Sequence, residues 1–116
     1  MKPHRDLLVY IEDIIDCINR IKEYTHALTI EAFLDNQQVQ DAVIRRLEII
    51  GEAVKNVPEE VRIKYPDIPW KEISGLRDIL IHEYSGVNIE RTWKVVQEDI
   101  PDLEKKIQQV HNELRH

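Results

Sequence analysis

The sequence predicts an all-α fold, an antiparallel four-helix-type bundle with an additional short helix, on three observations. Only three of the 116 residues are glycine, whereas leucine, glutamate and lysine, which favour helices, are frequent. Apolar residues recur at spacings of three and four along extended segments. The connections between those segments are short, which favours antiparallel neighbours. We therefore expect residues 1–116 to form one helical domain with a modest core.

The first two helical segments follow from their apolar spacing. Residues 5–26 are predicted as the first long helix, and a brief helical turn is expected between Thr29 and Asn36. Asp35 or Asn36 can then cap a second long helix that runs to about Asn56. Gly51 lies within the apolar stripe of this helix. A glycine there costs helix stability and indicates that another backbone approaches closely.

Proline residues divide the middle of the chain. Pro58 is expected in the first turn of a short helix that ends near Lys64. A further helix should begin near Trp70 and continue to about Tyr84, where Ser85 and Gly86 end it.

The last helix should begin at an Asn88 cap. Its apolar stripe keeps alternating spacings of three and four, and Pro101 interrupts it. We expect a kink or a restart of the helix at Pro101 that preserves the register. The stripe consists of Trp93, Val96, Ile100, Leu103, Ile107, Val110 and Leu114.

Charge and cysteine usage restrict the function. The formal net charge of −6 argues against a general nucleic-acid-binding protein, which needs clustered Lys and Arg, but not against an enzyme that holds one or two phosphates. Cys17 is the only cysteine, so an intramolecular disulfide and a cysteine-based zinc site are excluded. With no apolar signal core and no run long enough for a membrane span, we expect a soluble cytoplasmic protein.

The segment 75–84 carries the candidate chemistry. On one continuous helix, Tyr84 would lie almost directly below Arg77, and Asp78 and His82 would be stacked one turn apart. These four polar side chains would then share one sector of the helix surface. The sector would be open to a cleft or to a partner helix.

Each of these residue types suits cleavage of an RNA phosphodiester. His82 can take a proton from a 2′-hydroxyl or give one to the departing 5′-oxygen. Arg77 can stabilise the charge that develops on the phosphorus centre. Asp78 can orient the imidazole, as an acid does in a catalytic triad. Tyr84 could contact a phosphate or be modified itself.

Other candidate sites in the sequence are weaker. Arg20 and His26 repeat the approximate Arg-to-His spacing without a Tyr, and we interpret them as solvated surface. Glu48 and Glu52 are one turn apart and could bind a cation, although an exposed acidic stripe is the simpler interpretation. No metal site is expected at the remaining histidines near the termini, His4, His111 and His116.

The stretch from Pro69 to Tyr84 resembles the signature of HepT toxins, a branch of the HEPN (higher eukaryote and prokaryote nucleotide-binding) superfamily. The hallmark of that family is Arg, four residues, His, any residue and Tyr, which Arg77, His82 and Tyr84 match. The resemblance covers nearly the whole chain. It also includes Asp78 after the Arg, residues 49–53, and the region from Trp93 to Pro101.

This resemblance implies an all-helical homodimer in which two Arg-His motifs meet in a composite cleft. It implies a metal-independent, cofactor-free endoribonuclease of a type VII toxin–antitoxin system, with Arg77 and His82 catalytic and Asp78 supporting. It further implies an antitoxin partner, the minimal nucleotidyltransferase MntA, which silences the toxin by adding AMP to the motif Tyr, here Tyr84.

Two other functions stay open at this point. The same cleft could hold a nucleotide or dock the nucleotidyltransferase without cutting RNA. Alternatively, the chain could be a structural helical dimer in which Arg77 and His82 only tie helices together. The acidic net charge favours these alternatives slightly, whereas the combination of Arg, Asp, His and Tyr favours the enzyme.

Overall fold

The fold is described from a computed structural model, which covers residues 3–76, 78 and 88–115, with only the backbone of 3–5 included. Helix α1 spans Pro3–Thr25. The predicted apolar stripe of this helix is buried, because its residues recur on one face. The buried positions are Leu7, Ile11, Ile14, Ile18 and Ile21.

Helices α2 (Ile30–Leu34) and α3 (Gln37–Lys55) confirm the predicted short turn and the second long helix. Of the two candidate caps, Asn36 is the one used. Its side-chain oxygen accepts a hydrogen bond from the Val39 amide at 3.0 Å, which satisfies a donor at the start of α3.

Helix α4 spans Glu59–Lys64, and α5 spans Trp70–Ser74. Pro58 directly precedes α4 as its N-cap. The expectation of one continuous helix from Trp70 is wrong at Gly75, where α5 ends. The Gly75 amide is shared between the carbonyls of Lys71 and Glu72, at 3.1 and 3.2 Å. Glycine lowers the stability of a helix interior, which favours an end at this position.

Helix α6 (Ile89–Lys94) leads through a π-helical turn (Val95–Asp99) into α7 (Ile100–Leu114). The widened turn explains how the chain accommodates Pro101, which has no amide to donate to the carbonyl four residues earlier. The Ile100 amide instead bonds to the Val95 carbonyl, five residues back. The predicted restart with preserved register is confirmed, since Val96, Ile100 and Leu103 are all buried.

The described helices pack around one hydrophobic cluster. Helix α1 packs against α3 and α7, while α3 also contacts α5, and α2 contacts α3 and α6. Phe33 is fully buried and lies with its ring 5.0 Å from that of Trp93, which fixes α2 against α6. No strand occurs in the ranges that the structure covers, so the predicted all-α class is confirmed.

Candidate active site

The predicted catalytic segment is only partly visible. Asp78 is exposed and Leu76 beside it is buried, and both are helical. Arg77, His82 and Tyr84 lie outside the described residues. The common sector expected for the four polar side chains stays a prediction, and the elements on either side of the motif define its surroundings.

The element before the motif, α5, is fixed to the body of the protein. The Trp70 indole Nε1 donates a hydrogen bond to the Tyr65 carbonyl at 3.0 Å. Trp70 and Ile73 are both buried in the core. Removing these side chains from water stabilises the position of α5, and thereby of the chain that leads into Arg77.

Gly51 brings the end of α5 close to α3. A Cβ atom at position 51 would lie 3.3 Å from the Ile73 carbonyl oxygen and 3.6 Å from that of Ser74. This confirms the close backbone approach that the sequence predicts at Gly51. The last turn before the motif therefore packs directly on the backbone of α3.

The element after the motif, α6, has its own anchors. The Asn88 side chain accepts a hydrogen bond from the Arg91 amide at 2.9 Å, which confirms the predicted cap. The Thr92 hydroxyl is fully buried and donates to the Asn88 carbonyl at 2.9 Å. These two contacts fix where α6 begins, and the contact between Trp93 and Phe33 holds α6 against α2.

A polar groove of about 460 Å³ lies between α3 and the end of α5. Two cationic side chains line it, and each has a carboxylate three residues away. Arg45 lies 3.6 Å from Glu48, and Lys55 lies 3.7 Å from Glu52. The remaining lining residues are Ile49, Gly51 and Ser74.

The groove changes the interpretation of Glu48 and Glu52. The sequence suggests an exposed acidic stripe. The Glu52 side chain is 70% exposed as expected, but only 24% of the Glu48 side chain is exposed, and each carboxylate lies near a cation. Arg45 and Lys55 were not identified from the sequence as site residues. The available signal was that each of them lies three residues from a glutamate on an amphipathic helix. Such pairs are common on solvated helices and do not by themselves indicate a site.

A second groove, of about 370 Å³, lies on the other side of α5, against the π-helical turn and α7. Its lining is mainly apolar and includes Ile73, Leu76, Val95, Ile100 and Leu103. Helix α5 therefore separates a polar groove from an apolar one.

Two polar contacts far from the motif join sequence-distant helices. The Tyr65 hydroxyl donates to the Glu113 carboxylate, and His111 Nε2 lies 3.2 Å from a Glu12 carboxylate oxygen. Burial, reinforced by Glu113, raises the pKa of Tyr65 to about 12. Because Tyr65 and Glu113 are 48 positions apart, no local sequence pattern indicates that they are partners.

Among the residues that the structure describes, no group of three or more His, Cys, Asp or Glu side chains is arranged to hold a metal ion. None of the helices in the covered ranges is both long and apolar enough to span a membrane.

Comparison with known proteins identifies the family. The family described as "Ribonuclease HepT-like" matches residues 14–110, a range that includes the whole candidate motif. No solved structure gives a significant match.

Several named proteins are similar over most of this chain. A Thermococcus cleftensis protein named "Probable ribonuclease HepT" is 46% identical over 94% of this chain and 96% of its own length. A "Putative RNase" of Methanocaldococcus jannaschii is 40% identical over 97% of both chains.

One relative is a longer protein. A Methanocaldococcus jannaschii protein named "Gamma-glutamylcyclotransferase and putative RNase" is 49% identical over 95% of this chain, which spans only 50% of that relative's length. The helical fold, the extent of the family match and the identity over nearly full-length relatives lead to one conclusion. This chain belongs to the HepT-like ribonuclease family.

Proposed function

We propose that this protein is a metal-independent endoribonuclease in which Arg77 and His82 are catalytic and Asp78 supports His82. The observation that carries the proposal is the family match, which spans residues 14–110 and so covers Arg77, His82 and Tyr84. The anchored helices on both sides of the motif support it, because catalysis by positioning needs a rigid frame.

The proposed reaction is an internal transfer at phosphorus. The RNA 2′-hydroxyl gives its proton to an imidazole and attacks the adjacent phosphorus. The bond from phosphorus to the 5′-oxygen breaks, and that oxygen takes up a proton. The products carry a 2′,3′-cyclic phosphate and a 5′-hydroxyl, and no water is consumed. Arg77 stabilises the added negative charge, and His82 moves the protons.

The active site is proposed to form between two copies of the chain. Two copies of the Arg-His motif would then supply both an acid and a base, one from each His82. A two-fold dimer is the commonest assembly of soluble proteins, which supports this arrangement.

We propose further that the protein is the toxin of a type VII toxin–antitoxin pair. Its antitoxin would be an MntA-like minimal nucleotidyltransferase, and the Tyr84 hydroxyl would attack the α-phosphorus of ATP and release pyrophosphate. AMP on Tyr84 would place a negative phosphate seven residues after Arg77. On a helix that spacing brings the two side chains together, so the AMP would exclude an RNA phosphate.

Cleavage of RNA in the presence of EDTA tests the catalytic roles. Wild-type protein should cut, while Arg77→Ala and His82→Ala should each lose the activity and keep their helicity by circular dichroism. Arg20→Ala and His26→Ala form the matched control, because this pair has a similar spacing outside the motif. Equal losses in both pairs would contradict the assignment.

The main alternative is a binding subunit that docks the nucleotidyltransferase without cutting RNA. Folded and unmodified wild-type protein that cuts no RNA would favour this alternative. The modification of Tyr84 is tested separately by intact mass after coexpression with the nucleotidyltransferase. A Tyr84→Phe protein that still gains the mass of AMP would contradict it.

A further inference from the structure

We infer that the polar groove between α3 and the end of α5 binds the RNA strand beside the cut site, with Arg45 and Lys55 as its phosphate contacts. This inference rests on the proposed ribonuclease function. It assigns a substrate-binding role to residues outside the Arg-His motif.

The groove lies near the motif along the chain. Ser74 lines it, and Arg77 follows Ser74 by three residues, which span at most about 11 Å of extended chain. A strand bound at Arg77 would therefore be close enough to reach this groove.

The two cations of the groove are largely exposed and only loosely paired. The side chains of Arg45 and Lys55 are 65% and 58% exposed, and their distances of 3.6 and 3.7 Å to carboxylates are long for hydrogen-bonded ion pairs. Exposed pairs of this kind contribute little to stability. A phosphate can replace these contacts, and Arg in particular can hold one through two parallel hydrogen bonds.

The groove follows the axis of α3. Arg45 and Lys55 are separated by ten residues of this helix, or about 15 Å of axis, which is long enough for several nucleotides. Gly51 lies between them and lines the groove where the backbone of α5 approaches α3. Ile49 is partly buried and adds an apolar surface against which a base or ribose can lie.

The two grooves beside α5 also differ in chemistry. The groove on the α7 side is lined by six apolar residues, one cation and three carboxylates, so its charged side chains are mainly acidic, whereas the α3 side presents two cations, two carboxylates and a hydroxyl. A polyanion fits the α3 side better. Because the two carboxylates repel phosphates, the groove would bind only a short length of the strand. This agrees with the acidic net charge of −6.

Binding of a short, labelled, single-stranded RNA to a His82→Ala background tests the inference without cleavage. Adding Arg45→Ala and Lys55→Ala should weaken binding by roughly tenfold in fluorescence anisotropy. The slope of log affinity against log salt should become shallower by about 1.4, or 0.7 for each lost contact. In the cleaving protein, the same pair of changes should act mainly through KM.

The matched control is Arg20→Ala with Lys105→Ala, which removes two charges from exposed residues outside the groove. Equal weakening by both double variants would overturn the inference, since only net charge would matter. Unchanged RNA affinity in the groove variant would overturn it too, and an altered oligomeric state in that variant would mark the groove as a protein contact. Wild-type protein that binds RNA through the groove and never cuts it would contradict only the ribonuclease function.

Discussion

The carbonyl oxygen of Ile73 lies so close to Gly51 that a Cβ atom at position 51 would be 3.3 Å from it. This contact joins the C-terminal part of α3 to the last turn of α5, four residues before Arg77. A backbone carbonyl in a packed helix cannot rotate away as a flexible side chain can. The contact therefore ties the position of the motif to α3.

Gly51→Ala is expected to displace the end of α5 by a few tenths of an ångström. Replacing a glycine inside a helix by alanine would otherwise stabilise the fold by about 1 kcal/mol. We expect the contact to cancel that gain, and kcat for RNA cleavage to fall roughly tenfold, because a shift of about 1 Å can cost about a hundredfold. Thermal unfolding and steady-state kinetics measure the two effects.

Gly75→Ala is the control for this prediction. Its added Cβ atom would meet the Lys71 carbonyl at 3.6 Å, an ordinary van der Waals distance, although Gly75 is closer to Arg77 in sequence. It should leave kcat nearly unchanged. If Gly51→Ala were more stable than wild type by about 1 kcal/mol and fully active, the positioning role of Gly51 would be wrong.

The Asn88 cap is expected to matter for activity as well as for stability. Asn88→Ala and Asn36→Ala each remove a side-chain acceptor from a helix start and should each lower the free energy of unfolding by about 1 kcal/mol. Only Asn88 begins the helix that follows the motif segment. The rate of RNA cleavage should therefore fall more for Asn88→Ala than for Asn36→Ala, as measured at a temperature where both variants stay folded. Equal activities of the two variants would contradict a role of the Asn88 cap in positioning the motif.

The hydrogen bond between Tyr65 and Glu113 predicts a pH-dependent contribution to stability. Folding raises the pKa of Tyr65 from 10.0 to about 12, so the contribution is complete below pH 10 and is lost as the pH rises toward 12. The Tyr65 hydroxyl, with help from Gln109, lowers the pKa of Glu113 below 4.5, so the contribution is also lost as the pH falls below that value.

Urea unfolding of Tyr65→Phe against wild type across this pH range measures the effect. The difference in unfolding free energy should be constant between about pH 5 and pH 10 and should shrink outside it. Glu113→Gln keeps an oxygen that can accept the hydrogen bond but no longer titrates. In this variant the stability contribution should no longer fall at acid pH, while its fall toward pH 12 should remain. A difference that does not change with pH would show that the contact contributes nothing in solution.

Cys17 is expected to be unreactive in the folded protein. It is 2% exposed, and burial raises the pKa of its thiol, although the nearby Arg46 opposes the rise. Labelling with a thiol reagent at neutral pH should be slow, and should become rapid once urea unfolds the chain. Rapid labelling of the native protein would contradict the packing of α1 against α3.

The helices could be predicted largely because their signals are local. Asn36 and Asn88 cap the helices that follow them, and Pro101 falls in the restart that the sequence predicts. Gly75 was not predicted to end α5, since a glycine within an apolar pattern can be tolerated and the outcome depends on packing.

The candidate site was less predictable for a physical reason. The groove depends on Gly51 meeting Ile73 across two helices, and Tyr65 meets Glu113 across 48 positions. Gly51 indicates a close backbone approach, but no periodic pattern in the sequence identifies Ile73 as its partner or Glu113 as the partner of Tyr65. In the sequence, Arg45 and Lys55 cannot be told from ordinary solvated cations. Only the packing of α5 against α3 makes their helix face one wall of a groove.

The chemical identity of the new RNA ends most directly tests the central claim that Arg77 and His82 cleave RNA without a metal. Wild-type protein in EDTA should leave 2′,3′-cyclic phosphate and 5′-hydroxyl ends, and it should not cut where the 2′-hydroxyl at the cleaved position has been removed. His82→Ala should yield no such ends. Ends carrying a free 3′-hydroxyl, or cleavage that appears only when a divalent metal is added, would contradict the account.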